Sequence, residues 1–322
     1  MIIRQFYNGY SNLTYLLKIE EKEYVLRRPP FAAPKRGHNM GREFNVLNKL
    51  HNVFDKTPVT YAYSEDVEIL GAPFYIMNKV EGIILTAREA KERKVSPNDF
   101  NKIADTWLDA FVELHEADYK AAGLESLGNP EGYVERQVKN WGKQYLAAAT
   151  EEVISAQKVM SWMENNKPRN YDYSLIHNDY KYDNVVFVND QWEKIVAVLD
   201  WEMCTLGDPL MDLGTSLGYW TTSSDADFLK HGLPSPTTMA GNPSRTEIVH
   251  RYALKSGRNI NNLTFYFAYG LFKIAVIAQQ IYYRFKHGYT KDPRFEGLNK
   301  VSALCCNTAW NAIQKDRIDE LY

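Results

Sequence analysis

The sequence is poor in cysteine and has no excess of basic residues. Its 322 residues include three cysteines, Cys204 and the adjacent Cys305 and Cys306. This odd number, without C-x-x-C spacing, favours reduced thiols over a disulfide framework or a cysteine-rich zinc site. Lysine and arginine number 38 against 40 aspartate and glutamate, which gives a net charge of −2. Because nucleic-acid binding depends on basic residues at the phosphate backbone, we expect no nucleic-acid partner.

A long uninterrupted apolar run is also missing. The most apolar stretch, residues 263–283, is broken by Lys273, Gln279 and Gln280 before a membrane-spanning length of about 18 residues is reached. We therefore expect a buried core helix there and no membrane partner. The first residues lack the basic segment and apolar segment of a signal peptide, so we expect a cytoplasmic protein.

The pattern of apolar residues changes along the chain from strand-like to helix-like. Residues 1–77 alternate short apolar runs with turns and contain one helical segment, which Asn39 can cap. Residues 78–82 form a connector, and residues 83–322 are mostly helical with a β island near 173–199. We predict an α+β fold with a small β-rich nucleotide-binding lobe, a hinge and a large helical lobe. Ligands commonly bind in the cleft between two such lobes.

The individual elements can be predicted with approximate bounds. In the first part, strands are expected over residues 13–19, 24–28, 59–63 and 73–77, and a helix over 39–50. In the second part, helices are expected over residues 100–115, 130–149, 151–165, 244–256, 263–285 and 294–314, and short strands over 173–176, 185–188 and 194–199. A further helix is expected to begin at Asp208.

The strongest chemical signal is the segment that runs from His177 to Asn184 and includes Asp179. It lies between two predicted strands, and Asp200 follows at the end of the next one. Phosphoryl transfer needs one carboxylate to take the proton of the acceptor hydroxyl, and oxygen ligands to hold Mg²⁺ against the nucleotide phosphates. Asp179 can supply the base, and Asn184 and Asp200 can supply the metal ligands. The five-residue step from Asp179 to Asn184 equals that of the protein-kinase catalytic loop.

The remaining parts of a phosphoryl-transfer site lie upstream. Arg27 ends a predicted strand, and Glu43 follows 16 residues later on the predicted helix of the first lobe. The kinase scheme requires such a cation for the phosphates and such a glutamate to orient it. The turn over residues 8–12 precedes Arg27, and Ser11 within it can offer a hydroxyl to phosphate. This turn contains a single glycine, so an ordinary hairpin turn explains it nearly as well.

Other interpretations of these residues stay open at this point. Asp and Asn are common in turns, and Arg27 with Glu43 can be a surface ion pair of little energetic value. His177, Asp179 and Asp183 can instead be ligands of a metal-dependent hydrolase. A third alternative is a catalytically weak nucleotide-binding pseudokinase.

The motifs resemble those of the aminoglycoside phosphotransferase (APH) family along the whole chain. That family's H-G-D-x-x-x-x-N, D-W-E and G-D-P-x-x-D-L motifs stand here at residues 177–184, 200–202 and 207–213. Residues 24–30, 73–77 and 133–145 are most similar to the subgroup of phosphotransferase domains linked to acyl-CoA dehydrogenases. The resemblance implies a bilobal, protein-kinase-like fold and use of ATP or GTP with Mg²⁺.

The resemblance also implies residue roles. Asp179 would be the catalytic base, Asn184 and Asp200 the Mg²⁺ ligands, and Arg27, oriented by Glu43, the contact to the α- and β-phosphates. The implied adenine site consists of Met77 as gatekeeper and backbone groups of Asn78 and Val80. Asp208 and Asp212, which open the helix after the metal-binding loop, would be structural supports.

Three departures from kinase patterns affect the prediction. Asn178 replaces the usual glycine and is expected to need a positive φ, which Asn tolerates better than most residues. Arg27 replaces a lysine, so the phosphate geometry differs. The arginine that pairs with a phosphorylated activation loop is absent, so activation by loop phosphorylation is not expected and the acceptor should be a small molecule.

The acceptor pocket is expected on the helical lobe, facing Asp179. A stripe at four-residue steps contains Tyr133, Gln137, Trp141 and Tyr145, and Trp220 is a further candidate. Core packing explains such a stripe more often than ligand binding does. A polycationic aminoglycoside would need many acidic side chains at its site, and the candidates are only the scattered C-terminal Asp316, Asp319 and Glu320. This favours a hydroxy acid or hydroxyacyl-CoA as acceptor of the γ-phosphoryl group.

Overall fold

The first part of the chain folds into one antiparallel sheet with a single long helix against it. The computed structural model describes residues 2–6, 12–30 and 39–322. The strand order is β1-β2-β3-β5-β4. The strands are β1 (Ile2–Phe6), β2 (Leu13–Ile19), β3 (Lys22–Arg28), β4 (Thr60–Ser64) and β5 (Phe74–Asn78), and the helices are α1 (Met40–Leu50) and the short α2 (Val67–Leu70).

The long helix forms where its cap and its apolar spacing predict. The Asn39 side chain accepts the N–H of Arg42, which satisfies one of the free donors at the start of α1. Val46, Leu47 and Leu50 share one face and are fully buried. Helix α1 packs on β4 and β5 with this face. Glu43 therefore lies against the sheet, in contact with Arg27 near the end of β3.

The remainder of the chain is mostly helical, as predicted. Its helices are α3 (Ala87–Glu92), α4 (Pro97–Glu116), α5 (Tyr133–Ala148), α6 (Ile154–Asn165), α7 (Pro209–Tyr219), α8 (Asp227–Gly232), α9 (Arg245–Ser256), α10 (Leu263–Lys286) and α11 (Leu298–Lys315). The six predicted helices and the helix after Asp208 are confirmed, with bounds that differ by a few residues. The short α3 and α8 were not predicted, because six residues are too few to show helical periodicity.

The β island differs from its prediction in pairing. The strands are β6 (Ser174–Ile176), β7 (Val185–Phe187), β8 (Ile195–Val198) and β9 (Thr205–Gly207). They form two separate antiparallel pairs, β6 with β9 and β7 with β8, rather than one run of three. Strand β9 was missed because three residues carry almost no periodic signal. The two pairs place the loops after β6 and β8 side by side.

The segment after β5 is fixed by a close approach of backbones. Ile83 and Phe187 exchange N–H to carbonyl hydrogen bonds of 2.8 and 2.9 Å. Gly82 has φ +147°, and a Cβ there would lie 2.3 Å from the Phe187 carbonyl oxygen, so glycine is required. The first part of the chain is thereby anchored to the β7 strand that follows the predicted catalytic loop.

Helices α7 and α10 cross in close contact at a pair of glycines. A Cβ on Gly270 would lie 2.0 Å from the Gly214 carbonyl oxygen, and one on Gly214 would lie 2.1 Å from the Tyr266 carbonyl oxygen. Helix α10 is the most apolar stretch of the sequence and is buried over most of its length, as predicted. Within the described residues, none of the helices has the length and apolar character needed to cross a membrane.

Candidate active site

Three charged residues from distant parts of the chain meet at the end of β3. Arg27 donates from Nη1 to Glu43 Oε1 at 2.8 Å and from Nη2 to Asp200 Oδ1 at 3.0 Å. The Arg27 and Glu43 side chains are buried, whereas Asp200 is partly exposed. Asp200 lies just after β8 and adopts a left-handed backbone conformation with φ +67°. Arg27, Glu43 and Asp200, singled out in the sequence, therefore form one cluster.

The arginine sets the charge state of the exposed carboxylate. Burial by itself would raise the pKa of Asp200, but the Arg27 guanidinium outweighs it and holds that pKa below its usual value. Glu43 behaves differently, because its burial raises its pKa despite Arg27. Asp200 is therefore an ionised carboxylate of the cluster that is exposed enough to face a divalent cation.

The predicted catalytic loop is held by a buried carboxylate of α7. Asp212 accepts the N–H of His177 at 2.6 Å and the N–H of Asn178 at 2.7 Å. Asn178 has φ +69°, the positive value expected where the family pattern has glycine. Asp212 thus fixes the backbone immediately before Asp179.

The side chains of Asp179 and Asn184 are in direct contact. Asn184 Nδ2 donates to the Asp179 backbone oxygen at 2.8 Å and to Asp179 Oδ2 at 2.9 Å. Because the amide nitrogen is engaged, the amide oxygen of Asn184 is the atom that can ligate a cation. The backbones of the two loops are joined as well, since the Leu199 N–H donates to the Asn184 carbonyl at 2.7 Å. Asn184 and Asp200 therefore lie on adjoining loops.

Lys181 is a site residue that the sequence interpretation did not single out. Its ammonium lies 2.9 Å from Asp179 Oδ2 and 4.6 Å from the centre of the Tyr219 ring. Burial would lower the pKa of Lys181, but the Asp179 carboxylate raises it, so the side chain is charged. Its position two residues after Asp179, in the segment already identified as a catalytic loop, was the available signal.

His177 is a structural residue of the loop. Its Nδ1 accepts the Asp179 N–H at 3.2 Å, which assigns the ring proton to Nε2 and the 2.9 Å bond from Nε2 to the Leu199 carbonyl. Burial lowers its pKa, so the ring is neutral. Both nitrogens are therefore engaged in holding the two loops together, and the hydrolase alternative with His177 as a metal ligand has no support from this geometry.

The donor set of the site fits Mg²⁺. Carboxylate and amide oxygens are the ligands this ion prefers, and it commonly takes only one or two protein carboxylates together with substrate phosphates. Asp200 and Asn184 provide such oxygens. Among the residues that the structure describes, no group of three or more His, Cys, Asp or Glu is placed to hold a metal ion.

The residues predicted for the nucleotide base lie at the end of β5. Met77 is buried and paired with Val25 of β3. Asn78 exchanges two bonds with Val59, its N–H donating to the Val59 carbonyl at 2.9 Å and its Oδ1 accepting the Val59 N–H at 2.7 Å. Its N–H is therefore engaged, which leaves the Asn78 carbonyl as the backbone group to consider for an adenine edge. Val80, two residues on, is half-buried.

The predicted phosphate turn is described only at its last residue. Ser11 lies outside the described residues. Asn12 is buried, and its Nδ2 donates to Glu202 Oε2 at 2.7 Å. Glu202 in turn lies 3.8 Å from Arg27 Nη2. The end of the turn is thus tied to the loop that carries Asp200.

A cavity of about 260 Å³ lies beside the catalytic loop. Lys181, Tyr219 and Trp220 are among the residues that line it, and Lys181 contacts Asp179. Its walls are largely apolar. The other described residues that line it are Trp107, Tyr182, Asp183, Ser216, Gly232, Leu233, Pro234, Ser235, Thr237, Ile274, Ile277, Ala278, Ile281, Arg294, Leu298 and Val301.

The predicted acceptor residues occupy two different places. Trp220 lines the cavity. Tyr133 and Trp141 are buried on α5; the Tyr133 hydroxyl lies 3.4 Å from Asn178 Oδ1, and Trp141 Nε1 donates to Gln137 Oε1 at 3.0 Å. The α5 residues therefore lie behind the catalytic loop.

Comparison with known proteins identifies the family. The model of the phosphotransferase enzyme family, APH, matches residues 2–236, more than half of the chain. The chain belongs to this family. Acyl-CoA dehydrogenase family member 10 of Mus musculus is 31% identical over 319 residues, which are 98% of this chain and 30% of that protein. The chain thus spans about a third of the length of this relative.

Solved structures show the same fold. A crystal structure assigned to an aminoglycoside phosphotransferase of Ralstonia eutropha JMP134 has a TM-score of 0.81 and 29% identity, with 98% of this chain and 92% of that chain covered. A choline kinase of Cryptosporidium parvum has a TM-score of 0.65 at 12% identity, with 99% and 92% covered, which is a likeness of fold. The predicted α+β class, with a small β-rich part and a larger helical part of kinase-like fold, is confirmed.

Proposed function

We propose that this APH-family protein transfers the γ-phosphoryl group of ATP or GTP, in the presence of Mg²⁺, to a hydroxyl group of a small molecule. The observation that carries the proposal is the meeting of Arg27, Glu43 and Asp200 next to a loop on which Asp179 contacts Asn184. A phosphate-binding cation, its orienting carboxylate and a base are the parts that phosphoryl transfer requires.

Each residue has a defined part in this reaction. Arg27, held by Glu43, binds the α- and β-phosphates between residues 1–77 and the helical part, with residues 78–82 as the hinge. Asp179 accepts the proton of the acceptor hydroxyl as the new bond to phosphorus forms. Lys181, beside Asp179, places a positive charge near the transferred group.

Asn184 and Asp200 are the residues that would hold Mg²⁺. When bound, the ion neutralises charge on the phosphate oxygens. The low pKa of Asp200 keeps this carboxylate ionised at neutral pH, and its partial exposure leaves it accessible.

The acceptor binds in the apolar cavity beside Lys181. The described residues of the cavity wall include two cations, Lys181 and Arg294, which pair with Asp179 and Asp292, and one carboxylate, Asp183. This wall offers few carboxylates to a polycationic aminoglycoside and suits an apolar molecule that carries an anionic group. A hydroxy acid or a hydroxyacyl-CoA fits that description, and the acyl-CoA dehydrogenase name of the relative supports an acyl compound.

The test is a transfer assay with γ-labelled ATP, Mg²⁺ and a panel of hydroxy acids, hydroxyacyl-CoA esters, amino alcohols and aminoglycosides. We expect a phosphorylated product from an apolar, anionic hydroxyl compound, and a loss of about 10²-fold or more for Asp179→Ala, the scale of a positioned base. Full activity of that variant would refute the role of Asp179. Binding of Mg²⁺ and ATP without turnover on any compound would favour the pseudokinase.

A further inference from the structure

Helix α10 buries a lysine that the proposed reaction does not use. Lys273 is about 1% exposed and lies in the middle of the apolar helix. Its ammonium donates to the Asn178 carbonyl oxygen at 2.6 Å and to Asn178 Oδ1 at 3.0 Å. A buried lysine has a high desolvation cost unless a specific interaction compensates for it. Here the compensating group is the residue immediately before Asp179.

The backbone geometry makes this contact specific to the position of Asp179. The Asn178 carbonyl belongs to the same peptide plane as the Asp179 N–H, so a donor fixed to that carbonyl fixes the plane. Asn178 is at φ +69°, a conformation that costs energy for a residue other than glycine. Lys273 donates a hydrogen bond to the carbonyl of this residue, and Asp212 accepts one from its N–H.

The charge of Lys273 also balances that of Asp212. Asp212 is buried, yet the hydrogen bond from His115 and the nearby charge of Lys273 hold its pKa below the usual value. Burial lowers the pKa of both histidines, so they are neutral at pH 7. Burial lowers the pKa of Lys273 to about 8, so the side chain is still mostly protonated at pH 7. Lys273 is therefore the cation of this group.

Helix packing explains why the lysine reaches the loop. The contact between Gly214 and Gly270 brings α10 against α7, and Lys273 follows Gly270 by three residues, on the same helix face. The ammonium also lies 5.9 Å from the centre of the Trp141 ring. Trp141 of α5 therefore lies beside the Lys273 ammonium.

We propose that Lys273 is a positioning residue for phosphoryl transfer, which holds the peptide between Asn178 and Asp179 so that the carboxylate of Asp179 is aimed at the acceptor hydroxyl. The claim that catalysis depends on it rests on the proposed function. The claim that the peptide depends on it can be measured without turnover.

The experiment compares wild type with Lys273→Met, which keeps length and removes the donor and the charge. Hydrogen exchange followed by mass spectrometry should show faster exchange in peptides that cover residues 177–184 and unchanged exchange in α1 and α4. In the transfer assay, kcat should fall by about tenfold or more, because small misplacements of a reacting group are costly. The KM for ATP should stay within about twofold, since Arg27 is untouched.

Gln279→Met is the matched control. Gln279 is buried on the same helix and donates to the Ala148 carbonyl at 2.9 Å, away from the catalytic loop. It should lower the melting temperature without changing exchange at residues 177–184 or kcat. If Lys273→Met does not fold, Lys273→Gln serves in its place, because its amide remains a donor without charge; a smaller change in the same direction is expected.

The outcomes separate the two claims. Unchanged exchange at residues 177–184 in a folded Lys273 variant would overturn the positioning role, whether or not any acceptor is phosphorylated. A wild-type kcat in that variant would overturn it as well. So would a fall in kcat no larger than the one measured for Gln279→Met. Faster exchange at residues 177–184 in the Lys273 variant, together with a wild-type protein that phosphorylates no acceptor, would support the loop contact and count against the proposed function instead.

Discussion

The two halves of the site are built in different ways. The half proposed to bind the nucleotide consists of a few charged side chains in direct contact, with Arg27 between Glu43 and Asp200. The half proposed to bind the acceptor is a largely apolar cavity lined by residues of helices α4, α7, α8, α10 and α11 and of neighbouring loops. The first half depends on individual charged contacts, whereas the second depends on the size and shape of an apolar cavity. A substitution should therefore act sharply in one half and gradually in the other.

The largest expected effect comes from breaking the buried ion pair. Arg27→Met leaves the Glu43 carboxylate buried without its cation, which should lower the free energy of unfolding by about 3–5 kcal/mol. Adding Glu43→Leu removes the unpaired charge and should recover most of that stability, but not transfer activity. Urea unfolding measures both variants. A double variant as unstable as Arg27→Met would show that the unpaired Glu43 carboxylate is not the cause of the instability.

The second effect concerns the metal half of the charged cluster. Asp200→Asn removes the ionised carboxylate, and kcat at saturating ATP should fall by about 10²-fold, since a bound metal contributes several kcal/mol of charge stabilisation. Activity should also need more Mg²⁺. Asp190→Asn, an exposed carboxylate on the loop between β7 and β8, is the control and should behave as wild type. A wild-type rate in Asp200→Asn would remove Asp200 from the mechanism.

The third effect should separate the two halves. Ala278 lines the cavity from α10, and Ala278→Trp fills part of its volume. We expect the KM of the acceptor to rise by about tenfold or more while the dissociation constant for Mg²⁺ and ATP stays the same. Steady-state kinetics with each substrate varied in turn, and calorimetry with ATP, provide the measurement. An unchanged acceptor KM would move the acceptor site elsewhere.

The smallest effect contrasts a carboxylate that has a cation with one that caps a helix. Asp208 Oδ1 accepts the Leu210 N–H at 2.8 Å at the start of α7, and burial raises its pKa to about 7. The folded protein binds this proton more tightly than the unfolded chain does, so its contribution to stability is lost as pH rises from about 4 to 7. Asp208→Asn keeps a good cap.

The stability of Asp208→Asn relative to wild type should therefore increase as the pH rises. The difference in the free energy of unfolding between Asp208→Asn and wild type is expected to grow by about 1 kcal/mol or more from pH 5 to pH 7. Unfolding curves at several pH values measure it. A constant difference would mean that Asp208 does not titrate in this range.

The residues of the charged half could be singled out from the sequence because each lies in a short pattern that can be recognised by itself. The step from Asp179 to Asn184 and the position of Asp200 after a strand follow from short motifs. The positive φ of Asn178 was predicted from one substitution in such a motif and is confirmed. The left-handed turn at Asp200 left no comparable mark in the sequence.

The cavity could not be predicted in the same way. Its wall combines segments separated by more than 100 residues, which the packing of several helices, among them α7, α10 and α11, brings together. Lys273 was noted only as an interruption of an apolar run, because a single lysine at one helix position carries no signal of its partner. The contact with Asn178 depends on the crossing of α7 and α10 at Gly214 and Gly270, and a helix crossing cannot be read from a local sequence pattern.

A crystal structure of the protein with Mg²⁺ and a non-hydrolysable ATP analogue tests the central claim most directly. We predict a metal ion about 2.1 Å from oxygens of Asp200 and Asn184, phosphates against Arg27, and the terminal phosphate facing Asp179 across the mouth of the cavity. A nucleotide bound away from Arg27, or a metal held without Asp200 and Asn184, would contradict the account.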